Sequence, residues 1–139
     1  MAHTIDMQLM RYINLFERVS HVSTKNCFVY NNTIFFAVPG KFVSKAIGPN
    51  AENMRQISGI LRKRIKVIEM IEDISQIESF VNSIVEPVSF TKLEVKDNVV
   101  ILNASMQNKA VLIGRNRARE QELDDILKKF FGIEKLRIV

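Results

Sequence analysis

The sequence states one pattern twice, and that repetition limits the folds open to it more than any other feature. Lys41-Phe42-Val43-Ser44-Lys45-Ala46-Ile47-Gly48-Pro49-Asn50-Ala51-Glu52-Asn53-Met54-Arg55 is answered 66 positions later by Lys109-Ala110-Val111-Leu112-Ile113-Gly114-Arg115-Asn116-Arg117-Ala118-Arg119. Each is a short apolar segment, then Ile-Gly-x-Asn, then a longer segment with charges on one side. At the same offset Asn31-Asn32 matches Asp97-Asn98, a polar turn between two strand-like runs. Self-similarity at a fixed offset is the mark of a duplicated structural unit. The 139 residues therefore divide into modules of residues 1–70 and 71–139, each near the lower end for an independently folding domain.

The hydrophobic share of 47% against 25% charged residues gives each module enough apolar material for a core and excludes a disordered tail. No apolar run reaches the roughly 18 residues of a membrane span. The start of the chain lacks a basic region followed by a continuous apolar stretch, so no secretory signal is expected. Cys27 is the single cysteine; it fits a reducing compartment, and a cytoplasmic location is expected. The net charge of +5 is unevenly spread. Residues 1–70 hold ten Lys/Arg against four acids, and residues 71–139 hold ten against eleven. Attraction to a polyanion should centre on the first module.

Along the first module, Ile5, Leu9, Ile13 and Phe16 recur at three- and four-residue steps, predicting an amphipathic helix with Thr4 as its N-cap. Asn26 to Tyr30 and Thr33 to Val38 predict a hairpin around Asn31-Asn32, stopped by Pro39-Gly40. Phe42 to Ile47 predicts a short helix broken at Gly48-Pro49. A second helix starts at Asn50 or Ala51 and buries Met54, Ile57, Ile60 and Leu61. The basic cluster Arg62-Lys63-Arg64 precedes a strand at Ile65 to Ile68.

The second module follows without a Gly or Pro linker, so the two are expected to abut as one rigid body. Ile74, Ile77, Phe80, Val81 and Ile84 form a helical stripe. Val88 to Val95 and Val99 to Ala104 predict strands, Asn108 to Ile113 and Ala118 to Phe130 helices, and Leu136 to Val139 the last strand. The order is α-β-β-α-α-β in both modules, an α+β class in which the strands flanking each helix pair lie parallel.

A β-hairpin followed by a helix, a tight Gly-containing turn and a second helix resembles a KH domain. In that family a GxxG loop between the two helices clamps a four-nucleotide stretch of backbone. A phosphate approaches closely only where side-chain bulk is low, and amides at the following helix start serve as donors. The order α-β-β-α-α-β resembles the type II (prokaryotic) KH fold, with helices on a three-stranded mixed sheet. Two such domains in tandem resemble the NusA family of transcription factors. Ala46-Ile47-Gly48 and Leu112-Ile113-Gly114 match the residues leading into its loops, and Glu52-Asn53-Met54-Arg55 match those after the first. The resemblance covers essentially the whole chain and points to the short archaeal NusA-like proteins.

That resemblance implies binding of single-stranded RNA in transcription elongation, termination and antitermination, with RNA polymerase as a further partner. Carried onto this chain, the RNA contacts would be Lys45, Ile47, Gly48, Pro49, Asn50, Ala51, Asn53 and Arg55 in the first module. In the second they would be Gly114, Arg115, Asn116, Arg117 and Arg119. The fourth loop position departs from the family glycine, being Ala51 and Arg117, and Pro49 removes a donor. The first loop is therefore expected to be the main clamp and the second the weaker. Steep salt dependence should follow, since Lys/Arg–phosphate contacts release counterions.

The other residues give catalysis little to work with. His3 and His21 lack a ligand-spaced partner, so no metal site is expected. Cys27 reads as a small buried apolar residue, and Asp124-Asp125 as part of a solvated helix face. No Walker A sequence and no GxGxxG is present, so no cofactor, no small-molecule substrate and no enzymatic activity are expected. A competing reading makes the fold a protein-interaction scaffold on RNA polymerase or a ribosomal particle. Single-stranded DNA also fits such a clamp.

Overall fold

The computed structural model describes residues 7–139. It is an α+β structure that divides into two compact units between Met70 and Ile71. Among the described residues, the N-terminal unit runs α1 (Met7–Ser20), β1 (Asn26–Tyr30), β2 (Thr33–Val38), α2 (Val43–Ile47), α3 (Glu52–Leu61) and β3 (Arg64–Glu69). The C-terminal unit runs α4 (Ile77–Val85), β4 (Lys92–Lys96), β5 (Val99–Asn103), α5 (Met106–Ile113), α6 (Ala118–Phe131) and β6 (Lys135–Ile138). The predicted cap Thr4 and stripe residue Ile5 lie outside the described residues.

In each unit the hairpin strands pair antiparallel and the third strand joins the second in parallel, so β2 and β5 are central and β3 and β6 are edges. The hairpin turns explain the register. Asn31 and Asn32 have φ of 49° and 60°, and Asp97 and Asn98 have 52° and 64°. Two consecutive left-handed residues make the turn whose twist matches that of the strands, and Asn and Asp tolerate it best. Tyr30 then pairs with Thr33, and Lys96 with Val99.

Alternation along the strands sends Cys27, Ile34, Phe36 and Val38 into a core with Tyr12 and Phe16 of α1, Ala46 of α2 and Ile57 of α3. Phe16 and Phe36 stack with ring centroids 4.3 Å apart. Fully burying a side chain of this size is worth about 1.5–3 kcal/mol. The buried Ser20 hydroxyl donates to Phe16 O at 2.7 Å and accepts from Val22 N at 3.1 Å, stopping α1 and aiming the chain at β1. In the C-terminal unit Phe80 packs edge-on against Phe130 and Phe131 of α6.

Several expectations need correction. Ile60 is 56% exposed: Met54, Ile57 and Leu61 define the inward stripe, and Ile60 lies roughly 100° round the helix from its centre. Ile74 is 42% exposed, because it sits in a preceding 3₁₀ turn, which the Asp73 side chain starts by accepting from Ser75 N at 3.0 Å. The strand expected from Val88 begins only at Lys92: β5 offers five residues, and Lys92 pairs with its last, Asn103. Helix α5 starts two residues early because Ser105 caps it, accepting from Asn108 N. Asn50 and Ala51 are left-handed rather than helical, and α3 starts at Glu52.

Candidate nucleic-acid interface

The repeated Ile-Gly-x-Asn stretches form loops of matching backbone. Gly48 has φ 81° and ψ 166°, and Gly114 has 76° and 171°. Asn50 and Asn116 have 54°, 31° and 56°, 29°; Ala51 and Arg117 have 57°, 31° and 61°, 23°. Corresponding angles differ by no more than 8°. The first position lies where essentially only glycine is stable. The fourth is left-handed, which costs an L side chain roughly 1–2 kcal/mol and gives glycine its advantage there. Ala51 and Arg117 hold that conformation without it.

Hydrogen bonds close each loop on itself. Ala51 N donates to Gly48 O, and Arg117 N to Gly114 O, both at 3.1 Å. Glu52 N donates to Pro49 O and Ala118 N to Arg115 O. The amides at the fourth loop position and the first helical position are thus engaged inside the loop, contrary to the expectation that helix-start amides face a ligand. Asn53 is also turned inward. Its Nδ2 donates to Lys45 O and Ala46 O, each at 3.2 Å, satisfying two terminal carbonyls of α2 and sewing α3 to it. Arg119, its counterpart, pairs through Nε with Glu122 Oε1 at 3.1 Å, and Arg117 pairs with Glu120 at 2.7 Å. Among the described residues Lys45 and Arg55 have no such carboxylate partner.

Ile47 and Gly48 are half-buried, whereas Lys45, Pro49, Asn50, Arg55, Arg115 and Asn116 are exposed. Lys45 borders a small recess with His21, Val22, Ser23 and Phe42. The basic cluster is split. Arg62 ends α3 in a left-handed cap, donating from N to Ser58 O, and Lys63 Nζ reaches Asn32 Oδ1 at 3.4 Å. Only Arg64 of that cluster faces the groove between α3 and the edge strand.

That groove, about 670 Å³, is lined by Thr33, Met54, Arg55, Ser58, Gly59, Arg64, Ile65 and Lys66. It presents three cations and no carboxylate, an apolar wall of Met54 and Ile65, and a helix surface left bare at Gly59, where an added Cβ would meet nothing within 4 Å. The corresponding groove of the C-terminal unit is lined by Arg117, Glu120, Gln121, Asp124, Lys128, Glu134, Lys135 and Leu136. There three cations face three carboxylates. The same fold thus carries one groove fit for a polyanion and one that is electrically balanced. Asp124 is no member of a solvated face: it is 8% exposed and its Oδ1 accepts from Leu136 N at 2.9 Å. Its Oδ2 lies 2.8 Å from Lys128 Nζ, whose pKa is raised by that hydrogen bond and by the carboxylate charge.

Sequence reasoning missed Ser58, Gly59 and Lys66. The signal was present, since Arg55, Ser58 and Gly59 share one helix face by their spacing. The pairing of Arg117 and Arg119 with acids three residues on, also missed, was equally readable from the spacing.

No family model matches the chain. It is 25% identical over 141 aligned positions to the "Probable transcription termination protein NusA" of Halococcus morrhuae, covering 99% of each. To proteins of the same description in Methanococcus vannielii and Methanocaldococcus jannaschii it is 25% and 23% identical, covering 91% of this chain and 74% and 70% of theirs. A solved structure described as "Crystal structure of APE1850" is 26% identical, with a TM-score of 0.66 over 97% of this chain and all of the other. The similarity to archaeal NusA-like proteins is distant and spans most of the chain. The architecture is compatible with a KH-like fold. Among the described residues no helix is long and apolar enough to cross a membrane, and no group of metal-ligating side chains is found.

Proposed function

We propose that this chain is a NusA-like protein of two tandem type II KH domains, residues 1–70 and 71–139, that binds single-stranded RNA without catalysing a reaction on it. The role is in transcription, in keeping with the names of its distant relatives. The observation that carries the reading is the groove between α3 and β3: Arg55, Arg64 and Lys66 with no carboxylate, beside the Gly48–Ala51 loop. Phosphates run along the cations while bases lie against Met54 and Ile65. The loop shapes the path more than it donates to it, since its own amides are engaged internally. Lys45, in the last turn of α2 just before the loop, adds a further exposed cation. The Gly114–Arg117 loop keeps the backbone form, but Arg117 and Arg119 are already held by Glu120 and Glu122.

Fluorescence anisotropy of a labelled, unstructured RNA of about a dozen nucleotides tests this. The expected result is saturable binding by the full chain and its loss in Lys45→Glu/Arg55→Glu, with an unchanged far-UV circular dichroism spectrum. Undiminished binding by that variant would place the contact elsewhere. No binding by the wild-type chain at moderate salt would favour a protein-interaction scaffold.

A further inference from the structure

We propose that Asp124 closes the C-terminal groove, so that the duplicated chain carries one open nucleic-acid groove and one sealed from within. The inference rests on the RNA-binding reading above and identifies the residue that restricts it to one unit. Asp124 and Ser58 occupy the same place in the repeat, 66 positions apart. Leu136 and Ile65, 71 positions apart because α6 is longer than α3, correspond by strand register, since Val100 pairs with Leu136 as Ile34 pairs with Ile65.

What the two side chains do is opposite. Asp124 Oδ1 accepts from Leu136 N at 2.9 Å, so this edge-strand amide points at α6, and the carboxylate occupies it. The Ser58 hydroxyl instead donates to Lys63 O at 2.7 Å, away from Ile65. A base edge laid against β3 therefore finds that place unclaimed by residue 58, whereas on β6 it must displace a buried carboxylate. Displacing a charged acceptor from a buried donor is unfavourable, because charge-assisted hydrogen bonds are about twice as strong as neutral ones.

The closure is reinforced by charge. Asp124 holds Lys128 at 2.8 Å and Glu120 holds Arg117 at 2.7 Å, so two of the three cations in that groove already face carboxylates. Glu120 stands where Met54 forms the apolar wall of the open groove. Among the positions that differ between the grooves, which include Gln121 for Arg55, two supply the closure: Glu120 for Met54, and Asp124 for Ser58. Restoring both should remove two negative charges, release Arg117 and Lys128, and uncover Leu136 N.

The test is an amide ¹H–¹⁵N titration of the full chain with the same dozen-nucleotide RNA, for wild type, Glu120→Met/Asp124→Ser and Ser58→Asp. In wild type, shifts are expected at Arg55, Gly59, Ile65 and Lys66 and not at Lys135 or Leu136. The double variant should add shifts at Lys135 and Leu136 and bind a longer RNA at least about tenfold more tightly, because its second site is tethered to the first. Ser58→Asp should weaken binding about tenfold or more. Shifts at Leu136 in wild type would overturn the closure and leave the RNA-binding reading standing, as would a folded double variant that stays silent there. Should the double variant not fold, Ser58→Asp decides, and unchanged affinity overturns the proposal. If wild type binds nowhere, the RNA-binding reading fails. The closure then stands only if the double variant gains binding, and otherwise falls with it.

Discussion

Replacing Gly48 with alanine tests the loop where the physical argument is tightest. At φ 81° and ψ 166° the residue lies in a region that only glycine occupies readily; holding a side chain there costs of order 1–3 kcal/mol. The new Cβ would also sit 2.9 Å from the Asn53 side-chain amide and 3.2 Å from the Asn53 backbone nitrogen. Asn53 would have to move, giving up its hydrogen bonds to Lys45 O and Ala46 O, a further loss of about 1 kcal/mol. The expected destabilisation is therefore roughly 2–4 kcal/mol. Urea unfolding can be read for this unit alone: the chain has no Trp, and its two Tyr residues, Tyr12 and Tyr30, both lie in the N-terminal unit. With a slope of about 2 kcal/mol per molar, the middle of the usual urea range, the midpoint should fall by roughly 1–2 M. Asn53→Ala alone should cost about 1 kcal/mol, and Gly48→Ala should cost less in that background. A loss under about 0.5 kcal/mol in the wild-type background, well below the cost of such a backbone region, would refute the glycine argument. Equal losses in both backgrounds would show that Asn53 is not what the new side chain meets.

Three further predictions concern other parts of the chain. Gly59→Ala should stabilise the N-terminal unit by about 0.5–1 kcal/mol, since Gly is poor inside a helix and its Cβ meets nothing within 4 Å; the same tyrosine readout measures it. Lys128, whose pKa is raised by Asp124, should return toward the ordinary lysine value in Asp124→Asn, followed by NMR titration of its side chain. The folded value being the higher, this pair should stabilise the native state at neutral pH and lose that effect only as pH rises through the alkaline range. Asp73, held low by its bonds to Ser75, should stabilise the start of the C-terminal unit above the ordinary aspartate range and lose that contribution as pH falls through its lowered folded pKa. Amide exchange at Ser75, compared with Asp73→Asn, reports this loss.

Much of the fold was legible because turn chemistry and duplication are local. Asn31-Asn32 and Asp97-Asn98 specify their turns, and the hairpin strands Asn26–Tyr30 and Thr33–Val38 fall where composition puts them. Gly48 and Gly114 mark both loops for the same reason. The grooves were not legible, because their character depends on which side chains of α3 and α6 face the edge strands. Arg55 and Lys66 stand eleven positions apart in sequence and share one groove. Asp124 read as solvated surface because nothing in its neighbourhood announces the amide of Leu136, twelve residues on. Asn53 read as a ligand contact for a similar reason, its partners lying on the preceding helix.

The most direct test of the central claim is the salt dependence of RNA affinity in wild type, Arg64→Ala and Lys135→Ala. Single strands give a slope of about −0.7 per neutralised phosphate. Contacts from Lys45, Arg55, Arg64 and Lys66 should therefore give a log–log slope near −2.8, falling to about −2.1 in Arg64→Ala. Lys135→Ala, altering the matching position of the closed groove, should leave it unchanged. A flat wild-type slope, or one reduced by Lys135→Ala and not by Arg64→Ala, would contradict the assignment of RNA to the groove between α3 and β3.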